Sequence, residues 1–346
     1  LAAAALCVAT VAGPAQARES YSVAWTLYAG SMPLAYAEEN GILEKWGDRY
    51  GFDLEAVQMN DYVEAITQFS LGQFDAVIAM SLDALTIPAA SGVDTTVIMP
   101  LSTSNGSDGI VLRGKDKTVA DLEGKRINLV ELSGSHYMLA RALQTQGLSE
   151  RDVTVVNTSD ADIASVFESS DTQAVATWKP QLSEILSQYP DTTLVFDSSD
   201  IYGELLDTMI LRTEALRDNP DLGRAIAGAW YEAAALLDPA HPRHEALMAF
   251  TADTLNTDLA GARSQLRTID FLDATQARSL VSGEDFVATQ KQITGFAFEH
   301  GLLGEGVPNA GFVGIESGTG AIIGNADNVK LRFPTTWLED AKGSAQ

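Results

Sequence analysis

The chain has 346 residues, 46% of them apolar, with 47 acidic against 22 basic side chains and a net charge of −25. That length and apolar content suit one large or two medium domains with a substantial core. The acidity is spread along the chain, which excludes a nucleic-acid binder, argues against docking on anionic lipid, and favours neutral or cationic partners.

Residues 1–12 (LAAAALCVATVA) are apolar and uncharged but too short to span a bilayer. They run into Gly13-Pro14 and the A-x-A-like site Ala15-Gln16-Ala17. Residues 1–17 are therefore expected to be the remnant of a secretory signal, with Arg18 opening the exported chain. Cys7, the sole cysteine, falls inside that segment. The exported chain is then expected to lack disulfides, thiol nucleophiles and thiolate metal sites, and to be a soluble periplasmic protein.

A strand is expected over 21–28, then a helical stretch from Gly30 to Asn40-Gly41 and a strand over 53–59. Asn60-Asp61 caps a helix over 62–71, closed by Gly72, and DAVIAMS (75–81) is a short buried strand leading into a helix over 81–90. Further strands fall at 94–104 and 109–113. The pattern restarts with INLVEL (127–132), a helix from His136 to Gln146, VTVVNT (153–158), a helix from Asp160, QAVATW (173–178) and a helical run to Tyr189. Beyond Asp207, TMILRTEAL leads into a largely helical region covering 214–301, followed by a loose Gly-rich tail. Alternating strands and helices predict an α/β fold with mixed, mostly parallel sheets. Segments 57–81 and 155–178 resemble each other at a period near 98 residues, with Asp61 matching Asp160, which fits two lobes of like topology.

No phosphate-binding loop, dinucleotide fingerprint or nucleophile elbow is present, so neither an enzyme nor a cofactor is expected. His241 and His244 lack further ligands in their turn, and no metal site is expected. In open α/β sheets ligands bind at the carboxyl ends of strands. Those ends carry Trp25, Tyr28, Asp61, Tyr62, Ser81, Asp83, Asp108, Glu131, Ser135, His136 and Trp178, with Lys179 the one nearby base. Aromatic faces and carboxylates suit a small polar cation or a neutral amide. Trp25 and Trp178 equally suit core positions, and Asp61 and Asp83 equally suit helix caps. Ser133-Gly134-Ser135 at a helix start suits an anion instead.

The order of NDYVEA, MSLDALTIPAASGVDTT, STSNGSDGIVLRG, ELSGSHYMLARAL, GLSERDVTVVNTSDAD, ATWKP and FDSSDIYGELLD resembles the periplasmic binding components of ABC importers of the nitrate/sulfonate/taurine type. It is most similar to the branch associated with urea carboxylase. The resemblance implies a two-lobed type II periplasmic binding fold, with residues 18–105 and 208–346 in one lobe and 106–207 in the other. It implies hinges near Asn105-Gly106 and Leu206-Asp207. It also implies guanidinium as the small-molecule ligand, a monomer, and a partner permease with its ATPase. Urea, a methylated amine and a taurine-like sulfonate are the alternative ligands. The expected contacts are Trp25 and Trp178 for stacking, Asp61, Asp83 and Asp108 for charge, and Ser81, Ser135 and His136 for hydrogen bonding. Tyr28, Tyr62, Glu131, Glu204 and Asp207 stand in reserve.

Overall fold

The computed structural model describes residues 18–339. Residues 1–17, with the expected signal remnant and Cys7, lie outside the described residues.

The strands β1 (Ser20–Thr26), β2 (Asp53–Met59), β3 (Ala76–Met80) and β4 (Thr95–Ser104) alternate with α1 (Met32–Glu39), α2 (Ile42–Tyr50), α3 (Tyr62–Ser70) and α4 (Ser81–Ala84). The chain then crosses to a second sheet through β5 (Asp108–Arg113), β6 (Arg126–Leu129), α5 (Gly134–Thr145), β7 (Thr154–Asn157), α6 (Ile163–Glu168), β8 (Ala174–Trp178), α7 (Gln181–Gln188) and β9 (Thr192–Asp197). It returns to the first sheet as β10 (Leu206–Arg212). Next come α8 (Thr213–Asp218), α9 (Pro220–Ala234), α10 (His244–Thr254), α11 (Leu259–Leu266), β11 (Ile269–Phe271), α12 (Ala274–Val281) and α13 (Glu284–Glu299). The described chain finishes with β12 (Gly314–Glu316), β13 (Ile322–Ile323) and β14 (Val329–Arg332).

The core of the first sheet runs β4-β10-β3-β1-β2, and the second runs β9-β5-β8-β6-β7. These are the same topology. In each, the strand that arrives by crossover, β10 or β5, lies antiparallel to both neighbours, while the remaining core pairs are parallel. The internal similarity of the sequence is thus a structural repeat, with β2-α3-β3 matching β7-α6-β8. The related turns also touch each other. The Tyr62 backbone N–H donates to Asp160 at 3.2 Å, and the Ser159 hydroxyl donates to Asp61 at 2.8 Å, both between positions 98 apart.

Two crossovers, 105–107 and 198–205, join the sheets. Ser198 ties them together: its hydroxyl accepts from the Gly106 N–H at 2.7 Å and shares a 2.7 Å hydrogen bond with Ser104. Gly106 has φ +93°, a backbone conformation that side-chain-bearing residues rarely adopt. The crossovers are therefore two adjacent chain passages with a shared polar anchor.

Helix α2 and strands β9 and β10 occupy stretches given no element, β11 interrupts the region read as helical, and the Gly-rich tail is not loose over its length. Strand β14 pairs parallel with β4, and β12 adds beyond it, because Ile315 and Leu331 bury completely against the first lobe. Strands of two to four residues flanked by glycine carry too little periodicity to stand out.

Candidate functional site

A small cavity lies between the two sheets where their strand ends face each other. It is lined by Thr26, Tyr28, Ser31, Tyr62, Ile78, Met80 and Asp207 from the first lobe, and by Asp108, Ser133, Gly134 and Trp178 from the second. About 30 Å³ is open to the centre of a water molecule, and a single water needs about 10–15 Å³ on that measure. On that measure the space holds about two to three waters.

Each wall follows from local structure. The run AVIAM of β3 is buried throughout and delivers Met80 at its end. Ser133 caps α5, its hydroxyl accepting from the Ser135 N–H at 3.1 Å, and this sets Gly134 at the cavity wall. A Cβ on Gly134 would stand 2.2 Å from the Met80 sulfur of the opposite lobe, so any side chain here would require the Met80 thioether to move. Trp178 ends β8 and meets Tyr62 edge-on, with ring centroids 5.6 Å apart.

Three carboxylates dominate the electrostatics. Asp83 and Asp108 are completely buried and Asp207 is 6% exposed. Burial pushes Asp83 up to about 8, opposed by the hydrogen bond from the Tyr62 hydroxyl (2.6 Å) and reinforced by the charges of Asp207 and Asp108. Asp207 rises to about 7 through burial and then the charge of Asp108, with the Ser102 hydroxyl at 2.9 Å opposing. Asp108 rises to about 6 through burial, against the Ser104 hydroxyl and the more distant Lys179 ammonium. Lys179 is itself half-buried and donates to Thr268 at 3.0 Å. Among the described residues it is the only cation acting appreciably on this cluster.

Several polar atoms at or near the cavity have no partner within the protein: Asp83 Oδ1, Asp108 Oδ1, the hydroxyls of Ser81 and Ser135, and Trp25 Nε1. Buried polar groups are normally hydrogen-bonded, and an unpaired buried carboxylate oxygen is among the costliest exceptions. The site thus presents acceptors and excess negative charge to a space of small molecular size.

The residues expected from sequence divide into three groups. Asp108, Trp178, Tyr28, Tyr62 and Asp207 line the cavity. Asp83 stands one layer behind, bonded to Tyr62, while Ser81, Ser135 and Trp25 are buried without lining it. Asp61, His136, Glu131 and Glu204 are elsewhere. Asp61 caps α3, accepting from the Glu64 N–H at 2.8 Å, and bonds Ser159. His136 pairs with Glu150, and Glu204 with Arg141 and Tyr137. Glu131 is a half-buried residue beyond the end of β6. Thr26, Ser31, Ile78 and Met80 were not among the expected contacts, and Ser133 and Gly134 were singled out only as an anion-binding helix start. Met80 could have been found from the strand-end rule alone, since it adjoins Ser81.

A curated Brucella abortus relative, described as a binding protein without a stated ligand, is 25% identical over 196 residues, 56% of this chain and 59% of that one. The taurine-binding periplasmic protein of Escherichia coli is 25% identical over 146 residues, 41% of this chain and 45% of that one. The chain thus matches 59% of the first relative's length and 45% of the second's. Among solved structures, the alkanesulfonate-binding protein of Xanthomonas axonopodis pv. citri bound to MOPS aligns with a TM-score of 0.70 at 19% identity, covering 84% of this chain and 96% of that one. That likeness shows the two-lobed periplasmic binding fold. The NMT1/THI5-like family profile matches residues 30–243, more than half of the sequence, and the chain belongs to that family.

Proposed function

We propose that the protein is the periplasmic solute-binding component of an ABC importer, and that its ligand is a small, planar, hydrogen-bond-donating cation, guanidinium. The observation that carries this reading is the buried trio Asp83, Asp108 and Asp207, with two unpartnered carboxylate oxygens and no cation in the cavity lining. A cation held between the lobes supplies the missing countercharge and donors at once. Guanidinium offers N–H donors in a fixed plane, which suits carboxylates arriving from two sides. Tyr28, Tyr62 and Trp178 provide aromatic surface for its faces.

The transport role is supported by the family and by relatives described as periplasmic binding proteins. No helix among the described residues is long and apolar enough to cross a membrane. We assign residues 18–105 and 208–339 to one lobe and 106–207 to the other, with the paired crossovers as hinge. The permease and its ATPase would read the closed form.

A sulfonate is the second reading, favoured by the relatives' ligands and by the start of α5 at the cavity wall. Asp108 and Asp207 line the cavity and would repel a sulfonate where they are ionised, which places this reading second. Calorimetry of the full chain with guanidinium, urea and taurine separates them. Guanidinium is expected to bind at one site, with urea at least 100-fold weaker and taurine silent. Equal binding of urea, or binding of taurine without guanidinium, overturns the proposal.

A further inference from the structure

Outside the cavity, one group of side chains among the described residues has metal-ligating geometry: His136, Glu150 and His300. His136 lies in the first turn of α5, Glu150 opens the short turn Glu150–Asp152 before β7, and His300 caps the C-terminus of α13. His136 Nε2 contacts one oxygen of Glu150 and His300 Nδ1 contacts the other. One ligand atom from each lies within 4.8 Å of the other two. The side chains are 12%, 19% and 22% exposed, so the cluster is sheltered yet reachable by a hydrated ion. Phe296 backs it with an apolar face, its ring 4.2 Å from that of His300 and 6.3 Å from that of His136.

We propose that His136, Glu150 and His300 form a binding site for a divalent transition-metal ion, zinc by its donor set, which fastens α13 to the lobe of the second sheet. Two imidazole nitrogens and one carboxylate oxygen make a three-ligand set that leaves a fourth tetrahedral position for water. Imidazole disfavours calcium and magnesium, and the lack of sulfur disfavours copper(I). The ligands come from both sides of the molecule, because α13 packs on α4 and β13 of the first lobe while His136 and Glu150 belong to the second. Loading places the His136 ring hydrogen on Nδ1. That forfeits only the long 3.4 Å contact from the Leu132 N–H, and the Phe296 shelf keeps the ring in place. The same face carries a second link between these elements, in which Gln292 of α13 donates to Tyr137 at 2.8 Å and to Glu204 at 3.0 Å. An ion at the cluster therefore reinforces a joint that the protein already makes.

The test is titration of the chelator-treated full chain with Zn²⁺ by calorimetry and with Co²⁺ by visible absorption. One equivalent is expected, with tetrahedral Co²⁺ bands. His136→Ala and His300→Ala should each weaken binding about 100-fold or more. Zinc should raise the melting temperature of the parent chain by several degrees, reversibly with EDTA, and leave that of His300→Ala unmoved. Glu150→Gln and His300→Gln give the same reading should an alanine variant fold poorly, with far-UV circular dichroism as the check. Binding that survives these substitutions, or that is lost instead in His241→Ala/His244→Ala, overturns the proposal.

Discussion

Acidification should abolish ligand binding well before it unfolds the protein. In the ligand-free chain Asp108 and Asp207 titrate near 6 and 7, raised by burial and, for Asp207, next by the charge of Asp108. Guanidinium stays charged across this range, so the ionisation of the site alone sets the pH dependence. Treated as independent groups, both carboxylates are ionised in roughly nine-tenths of molecules at pH 8 and in about one in a thousand at pH 5. If only the doubly ionised form binds, apparent affinity falls about a thousandfold between those values, or about 4 kcal/mol. Interaction between the carboxylates broadens the transition without reversing it. Binding must also expel protons. At pH 6.5 Asp108 is about one-quarter protonated and Asp207 about three-quarters, so about one proton leaves per cation bound, and more if Asp83 also ionises. Calorimetry in two buffers of different ionisation enthalpy reads that number directly. Affinity that is flat from pH 5 to 8, or proton uptake on binding, refutes the assignment of these carboxylates to the ligand.

The same carboxylates should make the ligand-free protein less stable as pH rises. A carboxyl whose folded-state value lies above its ordinary one holds its proton more firmly when folded. Stability is therefore lost as pH climbs from about 4 through the folded-state value. For Asp83, raised to about 8, the upper bound is roughly 6 kcal/mol, and Asp83→Asn should flatten the difference in denaturant midpoint between pH 5 and pH 8. Gly134→Ala inserts a Cβ 2.2 Å from the Met80 sulfur across the cleft. It should weaken ligand binding by about 10- to 100-fold through overpacking, with the circular dichroism of the ligand-free chain unchanged. Ser159→Ala removes one cross-cleft hydrogen bond to Asp61. Affinity should fall a few-fold, read by calorimetry, with little change in ligand-free stability.

Much of the fold was legible because each half of the molecule repeats a strand, capped helix, strand unit whose members have strong local signals. Asp61 caps its helix, β3 and β8 are unbroken buried runs, and β2 and β7 sit at the same offset from them. What stayed hidden depends on partners far away in sequence: β9, which joins only β5, and β12 to β14, which extend the first sheet from β4. The His136–Glu150–His300 cluster was hidden for the same reason, since α13 meets α5 only through the tertiary fold. The site shows how a correct rule still leaves a gap. Strand carboxyl ends pointed to Asp61, Asp83 and Trp178, of which only Trp178 lines the cleft. Yet the two acids that line it, Asp108 and Asp207, stand at the amino ends of β5 and β10. They reach the cleft because these crossover strands run antiparallel to their neighbours. Asp108 sits in register with Trp178 at the end of β8, and Asp207 with Met80 at the end of β3. Since β5 and β10 hold equivalent places in the two sheets, the two acids are counterparts under the internal repeat. One duplicated position thus supplies a carboxylate from each lobe, which is the arrangement the proposed cation clamp requires.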